Sequence, residues 1–540
     1  MDETGTPAGS RHSRHARTQG RAFERALVLA AAAALLSRGR SLVPRTPQDQ
    51  ALIATGAGLM GAAAGLVGEG ATRLLAKLMP GGRAGAAVLL GGLSLGALAW
   101  SARRAPGDRK AAIADTAGRV LLVASVGGEL ALSAHSRLPA RQRRMLLHGL
   151  SATALGAASA FRALRRRLAE PRDLVKASIH YDFLPTVSGG PGSRLPLSAL
   201  DREGRKFLGC STAAARIAGV MGTPALDPIR VYAGLDSGSS SLLRARLAVA
   251  ELERLGGFER SRVVLYCPTG AGYVDPVAVE AEELMSRGDV ASVVVQYSNK
   301  RAVRAFKQLA RARETWWLLL EALDRALAAE PPERRPEIVV YGESLGAQVV
   351  AETLSEGGTE TLRSFNIARG ALIGLPFAGG EKLRALRARG EPLPPGLAVV
   401  ADLEELAALP PEPRAEIRYV IFTHAEDPVA NFTGTRLLWE RPYWLRPEGR
   451  HPRLPPGVRW LPGITYLQAL FDVKNSTGFT PTFEAHAHDY RLELPALLRV
   501  AFGHSDVSDA QLRAIELETA RAAVQQAERE GRAGTGSRTA

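Results

Sequence analysis

The chain has 540 residues, with 69 Lys+Arg against 54 Asp+Glu, a formal net charge of +15, two cysteines, 46% hydrophobic and 6% aromatic residues. This length accommodates several domains and a large core, while two cysteines exclude a disulfide framework and a Cys-based zinc module. Residues 1–176 carry 26 Lys/Arg against 10 Asp/Glu, and residues 177–540 carry 43 against 44, so the surplus belongs to the N-terminal third. Its basic residues cluster between apolar stretches and the remainder is nearly neutral, which argues against nucleic acid as a partner.

After a basic tail (1–21), residues 22–165 read as a helical transmembrane region. Apolar runs at Ala51–Val67, Ala84–Ala102, Ala111–Ala134 and Met145–Phe161 approach the ~20 residues that cross a hydrocarbon core, and a shorter one lies at Ala26–Leu36. Four spans are expected, five if the short run is counted, and that run lacks a small-x-small cleavage site. Gly61-Ala-Ala-Ala-Gly65 and Gly92-Leu-Ser-Leu-Gly96 have the small-residue spacing that lets membrane helices approach closely. Asp115, Arg119 and Glu129 fall inside the third long run, where ionisable groups are costly. With four spans, Lys/Arg in the flanking arms divide 13 against 7, placing the C-terminal domain in the cytoplasm; a fifth span reduces this to 13 against 11. The expected location is the cell membrane, as a multi-pass protein.

Residues 166–226, with Gly189-Gly190-Pro191-Gly192, read as a connector and leading segment. From Ile229 short β-branched runs alternate with helical patterns, predicting an α/β domain over 227–515. Predicted strands are Ile229–Gly234, Arg262–Cys267, Ala291–Tyr297, Glu337–Tyr341, Ala371–Leu375 and Ile417–Phe422; Leu242–Leu255 and Ala302–Ala329 read as helices. A polar tail follows at 516–540, and its last turns, Arg521–Ala540, are expected to fray.

The fourth predicted strand runs directly into Gly342-Glu343-Ser344-Leu345-Gly346, followed by a helical pattern. A G-x-S-x-G at a strand-to-helix turn is a nucleophile elbow, in which glycines relieve crowding and the serine hydroxyl stands clear of the sheet. Gly92-Leu-Ser94-Leu-Gly96 matches the same string but has no strand before it, so Ser94 reads as helix packing. A serine hydroxyl needs an imidazole to take its proton and a carboxylate to orient that imidazole. In chain order the acid comes next, and Asp427, just beyond the last predicted strand, is the first choice with Glu426 the fallback. The base then lies in Glu484-Ala-His486-Ala-His488-Asp-Tyr490, with His486 and His488 as candidates and His504 as a third. Two histidines one residue apart invite a metal, but no further ligand grouping accompanies them, so no metal and no cofactor are expected.

These residues resemble the bacterial, actinobacterial-type membrane-anchored α/β-hydrolase family, with an N-terminal multi-span region and a C-terminal hydrolase domain. The resemblance is carried by Ile229-Arg-Val-Tyr-Ala-Gly-Leu235, Ala245–Phe258, Pro268-Thr-Gly-Ala-Gly-Tyr-Val-Asp-Pro276, Val293-Val-Val-Gln-Tyr297, the Ser344 elbow, Glu426-Asp-Pro-Val429 and His488-Asp-Tyr490. It implies an α/β-hydrolase fold, a mostly parallel sheet with helices on both faces, and a triad of Ser344, Asp427 and His488. The Pro268–Pro276 segment takes the place of the oxyanion loop, with backbone N–H groups of Thr269, Gly270 and Leu345 as donors. Glu343 departs from the uncharged residue usual before the nucleophile, and a carboxylate there is expected to perturb the histidine.

The expected activity is hydrolysis of an ester or thioester of a hydrophobic acyl substrate at a bilayer. An acyltransferase using the same triad and a non-catalytic transport, sensor or scaffold protein are the alternatives. A Pro/Arg/Trp-rich insertion from Trp439 through Trp460 reads as a lid, a membrane-interface element or packing. Neither the oligomeric state nor the substrate is fixed by these residues.

Overall fold

Seven mostly apolar runs form strands that are buried on both faces along most of their length, where parallel strands read as continuous apolar segments rather than alternating ones. They are β1 (Ile229–Ala233), β2 (Arg262–Cys267), β3 (Val290–Val295), β4 (Glu337–Glu343), β5 (Ile367–Ile373), β6 (Leu397–Val400) and β7 (Tyr419–Phe422). Their order is β1-β3-β2-β4-β5-β7-β6, and every pairing is parallel. The computed structural model describes residues 8–102, 181–300, 307–376, 392–447, 450–476 and 487–536, with single positions at 110, 114, 117, 118 and 390.

The chain divides into two units, one made of Met1–Pro171 with Phe432–Asn475 and the other of Arg172–Asn431 with Ser476–Ala540. In the second unit the helices Ser241–Arg254, Leu309–Leu327 and Leu345–Ser364 bury Leu252, Trp316 and Val350 against one face of the sheet. The helices Arg202–Gly209, Pro276–Met285 and Leu494–Ala501 bury Phe207, Leu284 and Leu497 against the other. This is a parallel sheet with helices on both faces, as the resemblance implies, and β4, its middle strand, delivers its end to the side where such sheets bind ligands.

Two sequence expectations are corrected and one strand is added. Residues 181–226 are part of this packing: Arg230 on β1 is buried, pairs with Glu283 at 2.5 Å and donates to the carbonyls of Phe207 and Cys210. The polar tail is a docked helix, Asp509–Gly536, because its charges have partners: Glu518 meets Arg216 at 2.5 Å, Glu530 meets Lys206 at 2.9 Å, and Gln526 donates to the Tyr181 hydroxyl at 3.1 Å. The added strand, β6, has only four residues between a Pro-Pro pair and a helix, too short for its period to stand out.

The first unit holds α1 (Ala8–Leu36), α2 (Pro47–Ala76) and α3 (Arg83–Ala102). Thr46 caps α2 by accepting from the Asp49 amide at 3.1 Å, with Pro47 following. Two described helices, Pro47–Ala76 and Arg83–Trp100, have the length and apolar composition to cross a bilayer. The first contains the expected span Ala51–Val67 and the second covers Ala84–Trp100 of the expected Ala84–Ala102; Ala26–Leu36 ends α1, and the other two expected spans, with Asp115, Arg119 and Glu129, lie outside the described residues apart from single positions at 114, 117 and 118. Gly61 and Gly65 do bring helices together: a Cβ at Gly61 would lie 2.3 Å from the Leu29 carbonyl oxygen, and one at Gly65 2.8 Å from the Ala26 Cα.

The segment Phe432–Asn475, which contains the Trp439–Trp460 insertion, belongs to this unit and is tied by polar bonds to the α1–α2 turn. Asp472 accepts from the Ser41 hydroxyl at 2.9 Å and the Leu42 amide at 3.1 Å. Gln468 donates to the carbonyls of Ser37 and Gly39, while Lys474 and Asn475 reach Asp49 at 2.7 and 3.0 Å.

Candidate active site

At the end of β4 the chain reverses into the helix Leu345–Ser364, and Ser344 takes φ 53°, ψ −116°. A left-handed φ at a non-glycine residue costs on the order of 1–3 kcal/mol and persists only where its surroundings enforce it. Here the Ser344 amide donates to the Ile373 carbonyl at 2.9 Å, and its own carbonyl accepts from the Gln348 amide at 3.1 Å. The flanking glycines permit the turn by close approach: a Cβ at Gly346 would sit 2.0 Å from the Cys267 carbonyl oxygen, and one at Gly342 2.9 Å from the Ala347 Cα. The Ser344 side chain is half-buried, and among the described residues its hydroxyl has no hydrogen-bond partner.

Asp427 follows β7 and is completely buried. One carboxylate oxygen accepts from the Val429 amide at 2.8 Å, capping the short helix Pro428–Asn431. The cap uses only this oxygen and leaves the other for the histidine. That oxygen meets His488 Nδ1 at 2.7 Å and accepts from the Tyr490 hydroxyl at 2.5 Å. Glu426, the fallback acid, is not the carboxylate that reaches His488. With Nδ1 engaged by a carboxylate, the imidazole presents Nε2 as its basic nitrogen.

The histidine and the elbow both lie against the end of β5. His488 packs against Gly374, where a Cβ would lie 2.8 Å from His488 Cε1, and the residue before that glycine, Ile373, is the one that binds the Ser344 amide. The elbow, Asp427 and His488 thus converge at the C-terminal ends of β4, β5 and β7. His504 does not join them: it meets Glu282 at 2.7 Å beside Arg262, which opens β2, at the opposite ends of the strands. His486 lies outside the described residues.

The loop after β2 abuts the elbow, since the same Gly346 Cβ would also lie 2.8 Å from the Pro268 carbonyl oxygen. One expectation for this loop is corrected. The Thr269 amide already donates to the Tyr273 carbonyl at 2.9 Å, closing a turn in which Gly272 has φ 83°, so it is not an available oxyanion donor. Among the described residues no backbone acceptor takes the Gly270 amide, and Leu345 opens its helix, where amides lack an intrahelical acceptor. The Thr269 hydroxyl is buried without a partner, leaving a donor of a different kind at the same residue.

Glu343 makes no bond to His488. Its carboxyl accepts from the Asp275 amide at 3.2 Å and is buried. Burial, together with Asp275 and Asp489, drives its protonation well above the ordinary carboxylate range. Burial pushes Asp275 up to about 6. The two acids and the Asp489–Arg491 pair, joined at 2.6 Å, form a cluster beneath the elbow rather than a partner for the histidine.

Sequence reasoning missed the supports. Tyr490 was visible only as a neighbour of His488, yet its hydroxyl holds the Asp427 oxygen that binds His488. His424 stacks on the Tyr490 ring at 4.2 Å and is fixed by Glu493 at 3.2 Å and by the Ala487 carbonyl at 3.0 Å. No spacing in the sequence signals these partnerships, because each spans more than sixty residues. Among the described residues no group of three or more His, Cys, Asp or Glu is placed to hold a metal ion.

A family model described as the alpha/beta-hydrolase family matches residues 229–515, more than half of the chain, and the chain belongs to that family. No curated protein and no solved structure matches it.

Proposed function

We propose that this member of the alpha/beta-hydrolase family is a membrane-bound serine hydrolase that cleaves an ester or thioester of a hydrophobic acyl substrate through an acyl-enzyme. The observation that carries the reading is the 2.7 Å bond from Asp427 to His488 Nδ1, with a strained Ser344 at the end of the same sheet whose hydroxyl has no partner among the described residues. Ser344 Oγ attacks the acyl carbonyl as His488 Nε2 takes its proton; Asp427 holds the imidazole in the required tautomer and stabilises the imidazolium. The tetrahedral oxyanion is met by the amides of Leu345 and Gly270, a donor of this kind being worth about 3–4 kcal/mol. His488 then returns the proton to the departing alcohol or thiol. Water repeats the sequence on the acyl-serine and releases the acid.

The two apolar helices of the first unit support a bilayer location, and the arginine-rich arms support placing the hydrolase domain on the cytoplasmic side. A lipidic substrate fits an active domain tethered at a membrane. Purified full-length protein treated with a fluorophosphonate is expected to carry the adduct on Ser344, mapped by peptide mass, and to lose it in Ser344→Ala. A well-folded wild type that resists labelling overturns the proposal.

A further inference from the structure

The insertion between Asp427 and His488 contains an open cavity of 530 Å³ that the proposed chemistry does not use. Arg441, Arg450 and Arg459 line it, with Leu445, Val458 and Trp460 supplying the apolar wall. Leu445 and Val458 are buried, and the Trp460 indole is fixed by donating to the Leu437 carbonyl at 3.1 Å. A fourth cation stands beside this segment in the same unit: Arg40, from the α1–α2 turn, donates to the Pro456 carbonyl at 3.4 Å, and a Cβ at Gly457 would lie 3.7 Å from its Cδ.

The arginines lack carboxylates where their neighbours have them. Arg436 and Arg446, in the same insertion, share Glu440 at 3.1 and 3.5 Å. Among the described residues, Arg441, Arg450 and Arg459 meet no carboxylate. Two are instead oriented by backbone oxygens: Arg441 donates to the Leu445 carbonyl, and Arg450 donates to those of Val458 at 3.2 Å and Pro455 at 3.3 Å. A guanidinium has five N–H donors, so each keeps several for a ligand while its direction is already set. Three cations with unspent donors around one cavity call for an anion with several acceptor oxygens, and forked recognition of phosphate is the usual use of such a grouping.

Volume and position choose the source. The cavity lies in the range of sites for drug-sized ligands, far more than a bare phosphate fills. Its segment is bonded to the Ser37–Asp49 turn, where the α1–α2 hairpin leaves its apolar stretch and where the headgroup layer of a bilayer would lie. We propose that this cavity binds the phosphate-bearing headgroup of an anionic phospholipid, with the arginines on the phosphate and Trp460 against the glycerol and first methylenes.

The test uses the full chain in a neutral detergent and reads both the thermal midpoint and the binding curve for short-chain phosphatidylglycerol, short-chain phosphatidylcholine and inorganic phosphate. Phosphatidylglycerol is expected to raise the midpoint and the other two to raise it little. The double variant Arg450→Gln/Arg459→Gln is expected to weaken phosphatidylglycerol binding by about tenfold or more. Arg459→Glu is the second variant: this side chain is exposed and has no described partner, so its replacement leaves the packing intact. Equal shifts with phosphatidylcholine, or unchanged binding in Arg459→Glu, overturn the site. Inorganic phosphate reproducing the whole shift overturns the lipid source. The readout is binding, so it stands or falls separately from the serine-hydrolase reading.

Discussion

The string Gly-x-Ser-x-Gly occurs twice, at Gly92–Gly96 in α3 and at Gly342–Gly346 after β4, and the two copies do different things. In α3 the Ser94 hydroxyl is spent on its own helix, donating to the Leu90 carbonyl at 2.6 Å, and its glycines meet no described atom within 4 Å. After β4 the serine is forced to φ 53° with its hydroxyl unspent, and Gly346 lies against the backbone of another strand's loop. A five-residue pattern therefore carries no chemistry of its own. What precedes it decides: a strand that must reverse exposes the serine, whereas a continuing helix absorbs it.

The largest contrast lies at the serines. Ser344→Ala is expected to reduce turnover of a chromogenic ester on the order of 10⁴- to 10⁶-fold, as loss of a nucleophile does in a triad enzyme. Ser94→Ala removes only a hydroxyl bonded to its own helix and is expected to leave turnover unchanged within about twofold. Equal losses at the two positions would break the distinction and assign Ser94 a role that its bond to Leu90 gives no reason to expect.

The glycines come second. A methyl at Gly346 meets the Cys267 carbonyl oxygen at 2.0 Å, backbone against backbone, which no rotamer change relieves. Gly346→Ala is expected to destabilise the hydrolase domain by about 3 kcal/mol or more, seen as a lowered denaturant midpoint. A methyl at Gly96 meets nothing described, so Gly96→Ala is expected to be neutral or to add up to about 1 kcal/mol from helix propensity. A large loss at Gly96 would mean that α3 packs through that face against a partner, as Gly61 and Gly65 of α2 pack against α1.

How much was legible follows from the same physics. The strands were readable because parallel, doubly buried strands leave apolar runs, and the elbow because one such run ends directly on it. Chain order points to Asp427 and family resemblance to His488, and the 2.7 Å bond brings the two together. Thr269 was not, because whether an amide is free depends on the turn it closes, here to Tyr273. The tail was misjudged because its polarity signals solvent only when its charges lack partners, and Glu518 and Glu530 find Arg216 and Lys206 about three hundred residues away. Sequence continuity puts the segment Phe432–Asn475 in the hydrolase region, yet its polar bonds tie it to the α1–α2 turn.

The smallest contrast is at the residue before each serine. In α3 this is Leu93, exposed on its helix; after β4 it is Glu343, buried against Asp275. The unfolded chain releases the Glu343 proton near the ordinary glutamate value, whereas the folded domain holds it to a much higher pH because burial disfavours the carboxylate. The folded state therefore binds more protons than the unfolded state above that value, and wild-type stability falls as pH rises from about 4.5. Asp275, pushed up to about 6, adds to the same slope. Glu343→Gln keeps an oxygen for the Asp275 amide and removes the ionisation. Its denaturant midpoint is expected to equal that of wild type near pH 5 and to exceed it increasingly toward pH 9. A variant that is instead less stable at pH 9 would mean that Glu343 is a carboxylate in the folded protein, held there by a cation, and would return it to the role of a charge acting on the histidine.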